Sequence, residues 1–132
     1  MMRSRTVWTS LVGALVAGAP LAGAAVADPA HDRCMAAAET TLDMSDCGGQ
    51  LLKREDDRLN AAWKRIYARQ SGRTKTDLLA EQRLWIAYKD RTCLYYANGE
   101  FGSNGRAVSF PACRAKVIAE RVEALEALAA QP

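Results

Sequence analysis

The sequence predicts an all-α fold, a small helical bundle stapled by disulfides, on three observations. Apolar residues recur at three- and four-residue spacing through two long segments and a C-terminal one. Four cysteines sit in a short chain. No apolar–polar alternation runs long enough to make a strand. The bundle is expected to comprise an antiparallel hairpin of two long helices, a C-terminal helix and a short N-terminal segment.

The chain has 132 residues, enough for one domain. Residues 1–27 read as a cleaved signal peptide: Arg3 and Arg5 lead, Leu11 to Ala19 is mostly apolar, and Ala25-Val26-Ala27 makes an A-x-A site before Asp28. Its Gly, Pro, Thr and Ser breaks disfavour a membrane anchor. His31-Asp32-Arg33-Cys34 is not a lipoprotein cleavage box, so lipid anchoring is not expected. The expected product is an exported protein, periplasmic or extracellular, with one domain over residues 28–132. Of 18 Lys+Arg and 15 Asp+Glu, the leader holds two arginines and no acid, so the mature chain carries a net +1. That balance gives no argument for nucleic acid.

All four cysteines, Cys34, Cys47, Cys93 and Cys113, fall after the leader. An even count in a small exported chain implies two disulfides. No close Cys/His pair exists and His31 is the single histidine, so no metal site is expected. No cofactor is implied.

Asp28 to Arg33 reads as a mobile polar leader, and Cys34 to Glu39 as an Ala-rich turn or two of helix. Thr40 to Asp43 resembles a capping box that starts a helix carrying Cys47. Gly48-Gly49 either breaks that helix or marks close backbone packing; one helix with a weak spot is favoured. From Gln50 to Gln70 the spacing of Leu52, Asp56, Leu59, Trp63 and Ile66, with Tyr67 beside them, is helical. Ser71-Gly72 ends it. Thr74 to Asp77 resembles a second capping box, and a helix is expected from about Lys75 to Ala97. The short connection makes the two long helices antiparallel neighbours. Asn98 to Gly105 is a loop by composition. Ser109-Phe110-Pro111 opens the last helix, striped by Val117 or Ile118, Val122, Leu125 and Leu128.

Folding the hairpin at Ser71-Gly72 gathers the four thiols at one pole. Three pairings are open and the sequence does not choose between them. Cys34–Cys93 with Cys47–Cys113 is preferred, because it clamps the entry segment and the last helix onto the hairpin. Cys34–Cys113 with Cys47–Cys93 is next.

An ordered set of residues runs Cys34, Thr40, Met44, Cys47, Asp56, Leu59-Asn60, Gln82-x-x-Trp85-x-x-x-Lys89-Asp90-x-x-Cys93, Cys113 and Arg121-x-x-x-Leu125. This set resembles the LprI-type lysozyme inhibitor family of small secreted bacterial proteins. The resemblance implies an exported, disulfide-held helical domain and, for some members, binding to and inhibition of lysozyme. Trp63 stands where the family has Tyr, which keeps an aromatic. Lys89 stands where it has Arg, which loses a planar five-donor fork. The founding inhibitor is a lipoprotein, and that anchoring does not carry over to a chain without the box.

Asp56, Asn60, Gln82, Lys89, Asp90 and Arg91 lie on or beside inward faces and are expected to form a structural polar network between the long helices. Glu55, Asp56 and Asp57 are adjacent on a helix and point different ways, so they make a solvated patch and not a glycosidase pair. With the cysteines in bridges, no nucleophile–base arrangement is left, and no catalysis is expected. Lys64, Arg65, Arg69, Arg73 and Lys75 crowd the hairpin tip. They serve either as cations opposing a helix dipole or as a weak contact for anionic wall polymer or lipid. A c-type lysozyme is strongly basic and would avoid that tip. Glu100 and Phe101, in the Gly-rich loop, are therefore the candidate partner contact. The expected product is a monomeric protein-binding module; the competing class is an envelope structural or wall-associated module without lysozyme contact.

Overall fold

The computed structural model describes residues 27–131. The leader reading therefore lies, except for Ala27, outside the described residues. The helices are α1 (Pro29–Ala37), α2 (Thr41–Arg69), α3 (Gly72–Arg91), α4 (Leu94–Ala97), α5 (Gly102–Asn104) and α6 (Phe110–Ala129), with a π-helical stretch, Gly105–Ser109, leading into α6. No strand occurs among the described residues. The fold is the expected all-α, disulfide-stapled bundle.

The segment expected to be a mobile leader is instead α1. Asp28 caps it by accepting from the His31 N–H at 2.8 Å, and Pro29 in the first turn has its φ already set for a helix. Three contacts then dock α1 on α2: the Cys34–Cys47 bridge, Asp28 to Arg54 Nε at 2.7 Å, and His31 Nδ1 at 3.3 Å from the Cys47 carbonyl. Residues 28 and 34 meet 54 and 47, so α1 runs antiparallel to the start of α2.

The Thr40–Asp43 capping box is complete in both directions. Beyond it α2 continues unbroken through Gly48-Gly49. Its buried line is Cys47, Gly48, Leu51, Glu55, Leu59, Ala62 and Ile66. The expected line through Leu52, Asp56 and Trp63 is thus displaced by one residue. Leu52, Trp63 and Tyr67 are half-buried and flank the core.

The third helix begins three residues before the expected Lys75 and ends at Arg91. Thr74 and Asp77 lie inside it, and Asp77 pairs with Arg73 at 3.4 Å instead of capping. It stops at Thr92, which turns extended at ψ 156°, and Cys93 beside it takes a left-handed conformation, φ 66°, which costs an ordinary residue about 1–2 kcal/mol. The Cys93 side chain is fully buried in its bridge. The stretch expected to be a Gly-rich loop is also more regular than its composition implies. After a turn at residues 98–101 it coils into α5 and the π-helical stretch, where the Phe110 N–H reaches back to the Gly105 carbonyl. Gly105 is buried against the Tyr96 carbonyl and the Phe101 side chain, in a space that admits no Cβ.

Residue contacts give the helix directions. A Cβ on Gly48 would sit against Pro111, and Arg65 pairs with Glu126, so α2 and α6 lie side by side and parallel. Gln82 meets Arg121, Asp90 meets Arg114 and Cys93 is bonded to Cys113, so α3 runs antiparallel to both. The core between them is Leu59, Ala62, Ile66, Leu78, Ile118, Val122 and Leu125. Each large aliphatic there contributes about 1.5–3 kcal/mol by burial. The closest helix pair is α2 with α6, where Gly48, Ala62 and Ala115 are buried, and Ala107 of the π-helical stretch is buried at the same seam. Larger groups, Trp85 and the Gln82–Arg121 pair, hold α3 farther off.

The disulfides correct the expected pairing. The structure bonds Cys34 to Cys47 and Cys93 to Cys113, with Cα separations of 5.7 and 6.0 Å. Neither the preferred nor the second pairing occurs. The reason is local: α1 folds back on α2, which leaves Cys34 facing Cys47, and the turn at Cys93 aims it at the first turns of α6. Gly48 and Pro111 touch, so both bridges do lie at one end of the bundle.

A Cβ on Gly48 would lie 2.6 and 2.9 Å from the Pro111 ring and 3.2 Å from the Ala107 carbonyl, whereas one on Gly49 meets nothing within 4 Å. Gly48→Ala should therefore lower stability, since about 1–3 kcal/mol of overpacking outweighs about 1 kcal/mol of helix propensity. Gly49→Ala should raise it by about 0.5–1 kcal/mol. Denaturant melts of the two variants read the opposite signs.

Arg54 and then the His31 amide hold the Asp28 carboxyl below its ordinary value of 3.8. The Thr40 side chain and then its amide lower Asp43 likewise. A depressed folded value means the stabilisation is complete above the unfolded value and is lost as pH falls through the folded one. Melting temperature should drop between pH 7 and about pH 3, and Asp28→Asn should show a smaller drop.

Candidate functional site

The polar residues expected to join between the long helices divide into separate groups. Gln82 is buried, and its Oε1 accepts from Arg121 Nε at 2.9 Å. Arg121, only 7% exposed, also donates from Nη1 to Glu81 at 2.6 Å and lies 5.8 Å over the Trp85 ring. Asp90 receives Lys89 at 3.5 Å and Arg114 at 3.7 Å. Arg91 is exposed, Asp56 is half-buried and Asn60 is exposed. No hydrogen bond among the described residues connects Asp56 or Asn60 to Gln82. The polar link therefore runs between α3 and α6 and not within the α2–α3 hairpin.

Two residues take places that the sequence reading did not give them: Glu55, expected in a solvated acidic patch, and Arg121, named there only in the family motif. Glu55 is not solvated: 3% exposed, it is the buried acid of α2, and both its oxygens accept from Arg58 Nη1, at 3.0 and 2.8 Å. Arg121 is the buried base of α6. Its signal was its position: it falls three residues after Ile118 and four before Leu125, on the stripe and not off it.

Most groups that could do chemistry are occupied. Glu55 is tied to Arg58, Asp57 is paired with Lys53 at 2.7 Å, and all four cysteines are in bridges. His31 is held at the Cys47 carbonyl. No cluster of three metal-ligating side chains occurs among the described residues.

What the surface offers is shape, aromatic area and charge. A first feature is a row of aromatics, with Tyr95 and Phe101 exposed and Tyr96 half-buried between them. Tyr95 packs on Tyr96 with ring centres 4.4 Å apart, and Tyr96 meets Phe101 edge-on at 5.2 Å. The Tyr95 phenol is pushed above its ordinary value, chiefly by the Tyr96 hydroxyl, then by desolvation, with a smaller push from Tyr88. Phe101, 55% exposed, is thus fixed on a neighbour and does not swing freely. Glu100 is exposed, and its N–H donates to Asn98 Oδ1 at 2.9 Å.

A second feature is an open groove of about 400 Å³ lined by Thr41, Leu42, Ser45, Ser103, Arg106 and Ala107. The first turns of α2 make one wall. The segment that follows Phe101 makes the other.

A third feature is charge polarity along α2. From Asp28 to Cys47 there are five acids, Asp28, Asp32, Glu39, Asp43 and Asp46, against Arg33 alone; between Arg58 and Asp77 there are only cations. The 29 residues of α2 separate these ends by roughly 40 Å at 1.5 Å per residue. At the basic tip, Arg65 is paired with Glu126, Arg73 with Asp77, and Lys75 lies 4.7 Å over the Tyr67 ring. Lys64 and Arg69 are exposed.

Among the described residues, no helix is long and apolar enough to cross a membrane. No curated protein and no solved structure matches the chain. A family model does match: that of the lysozyme inhibitor LprI, over residues 33–125. The matched span takes in all four cysteines, the Trp85 to Cys93 block and α6 to Leu125, and the chain accordingly belongs to the LprI lysozyme inhibitor family.

Proposed function

We propose that this protein is exported to the periplasm or beyond the cell, remains free of a lipid anchor, and acts there as a monomeric, non-catalytic inhibitor that binds lysozyme. The observation that carries this reading is the family match, which runs over both bridged segments of the fold and not over an isolated motif. Two disulfides in a small chain support export, as does the leader pattern of residues 1–27. A bundle pinned at one end presents a preorganised surface, which lowers the ordering cost of binding. Strongly basic c-type lysozyme would be repelled by the tip carrying Lys64, Arg65, Arg69, Arg73 and Lys75. The contact belongs at the opposite end, where Glu100 and Phe101 stand just before the groove wall.

The competing reading is a wall- or lipid-associated envelope module that works through the basic tip. The ion pairs of Arg65 and Arg73 and the stacking of Lys75 on Tyr67 count against it, since these cations are partly engaged within the molecule.

Oxidised, leader-free protein added to c-type lysozyme should slow lysis of a wall suspension in a dose-dependent, saturating way. The protein alone should release no wall fragments. Unchanged lysis at a large molar excess overturns the inhibitor reading, and fragment release by the protein alone overturns the non-catalytic one.

A further inference from the structure

We propose that lysozyme docks on the groove between the first turns of α2 and the Ser103–Ala107 segment, with Leu42 as its apolar anchor and the surrounding acids as its electrostatic rim. This rests on the inhibitor reading and names the surface that would carry it.

The first argument is apolar exposure. Leu42 is 72% exposed, at the lip of a groove lined also by Ala107, by the neutral hydroxyls of Thr41, Ser45 and Ser103, and by Arg106. An exposed leucine in the first turn of a helix contributes nothing to the core of this fold. An apolar side chain beside a groove with neutral hydrogen-bonding groups is the anatomy of an interface centre.

The second argument is charge. Glu39, Asp43 and Asp46 are exposed around Leu42, and Asp46 lies one helical turn beyond it on the same face. Arg106 is the single cation in the lining. A basic enzyme therefore meets an acidic rim at this groove and a cationic field at the hairpin tip. With a Debye length of about 8 Å at physiological salt and roughly 40 Å between the ends, the two do not cancel each other. The molecule is oriented on approach, groove first.

The third argument is rigidity. One wall begins within the Thr40–Asp43 capping box and leads to the Cys34–Cys47 bridge. The other runs into α6, where Pro111 packs on Gly48 and Cys113 is bonded to Cys93. Each wall is covalently pinned within a few residues, so little order is left to be imposed by a partner.

The test is binding of oxidised, leader-free protein to c-type lysozyme by titration calorimetry or surface capture, at low and high salt. Leu42→Lys and Asp46→Lys should each weaken binding by about tenfold or more, with unchanged circular dichroism and melting because both residues are exposed. Glu39→Lys should slow association, and added salt should erase that difference. Lys64→Glu, at the far tip, should leave affinity within about twofold. If the unmodified protein binds lysozyme and both groove variants bind as tightly, the groove assignment is overturned while the inhibitor reading stands. In that event, loss of binding in Phe101→Ala or Tyr95→Ala would move the contact to the aromatic row. If the unmodified protein does not bind lysozyme, both the assignment and the reading fall.

Discussion

The close parallel contact of α2 with α6 is the constraint on which the rest of the molecule depends. It is made by what is absent from the side chains: Gly48 against Pro111, and Ala62, Ala107 and Ala115 buried nearby. Small residues let two backbones approach until Ile66, Ile118 and Leu125 are sealed from water. That contact also sets the width of the groove, since Thr41 and Ala107 stand on its two sides. The π-helical stretch before α6 belongs to the same device. Its extra residue per turn lets the chain enter α6 from a buried Gly105 without a separate loop.

The third helix is joined to this pair by a different kind of contact. Trp85 packs on the core edge, and Arg121 is held between Gln82, Glu81 and the Trp85 ring. A buried guanidinium is costly where its donors go unused. Arg121 uses Nε on Gln82 and Nη1 on Glu81, while its Nη2 is buried without a partner, so removing Gln82 or Glu81 would deepen an existing shortfall. The arrangement fixes the register of α3 along α6 by geometry that an apolar seam would leave looser.

Features set by neighbours in the chain were legible in the sequence. The Thr40–Asp43 box needs only four residues, and Pro111 in the first turn of α6 is a local signal. The signals for α1, Asp28 and Pro29, were equally local but were outweighed by the polar composition around them. Features set by distant neighbours were not legible. Glu55 and Asp56 are one residue apart in a run of three acids, and only the position of α6 decides which is buried. Arg121 falls on the apolar stripe of α6, but its partner Gln82 is 39 positions away in the chain. The left-handed turn at Cys93 follows from its partner in α6, and nothing in Arg91-Thr92-Cys93-Leu94 announces it. The pairing of the cysteines failed for the same reason, since it turns on whether Asp28 to Ala37 is a free leader or a docked helix. Of the candidate surface, the sequence pointed to the segment holding Glu100 and Phe101, which adjoins one wall; the other, around Leu42, emerged only once α2 and α6 were brought together.

Both bridges connect cysteines that are close in sequence, 13 and 20 positions apart. One crosslink lies wholly before the bend at Ser71 and the other wholly after it. In covalent terms the molecule is two separately laced pieces in tandem, joined by a single strand of backbone at the hairpin tip. A protease that nicks that bend would leave two fragments with no bond between them. Their cohesion would then rest on the buried seam alone.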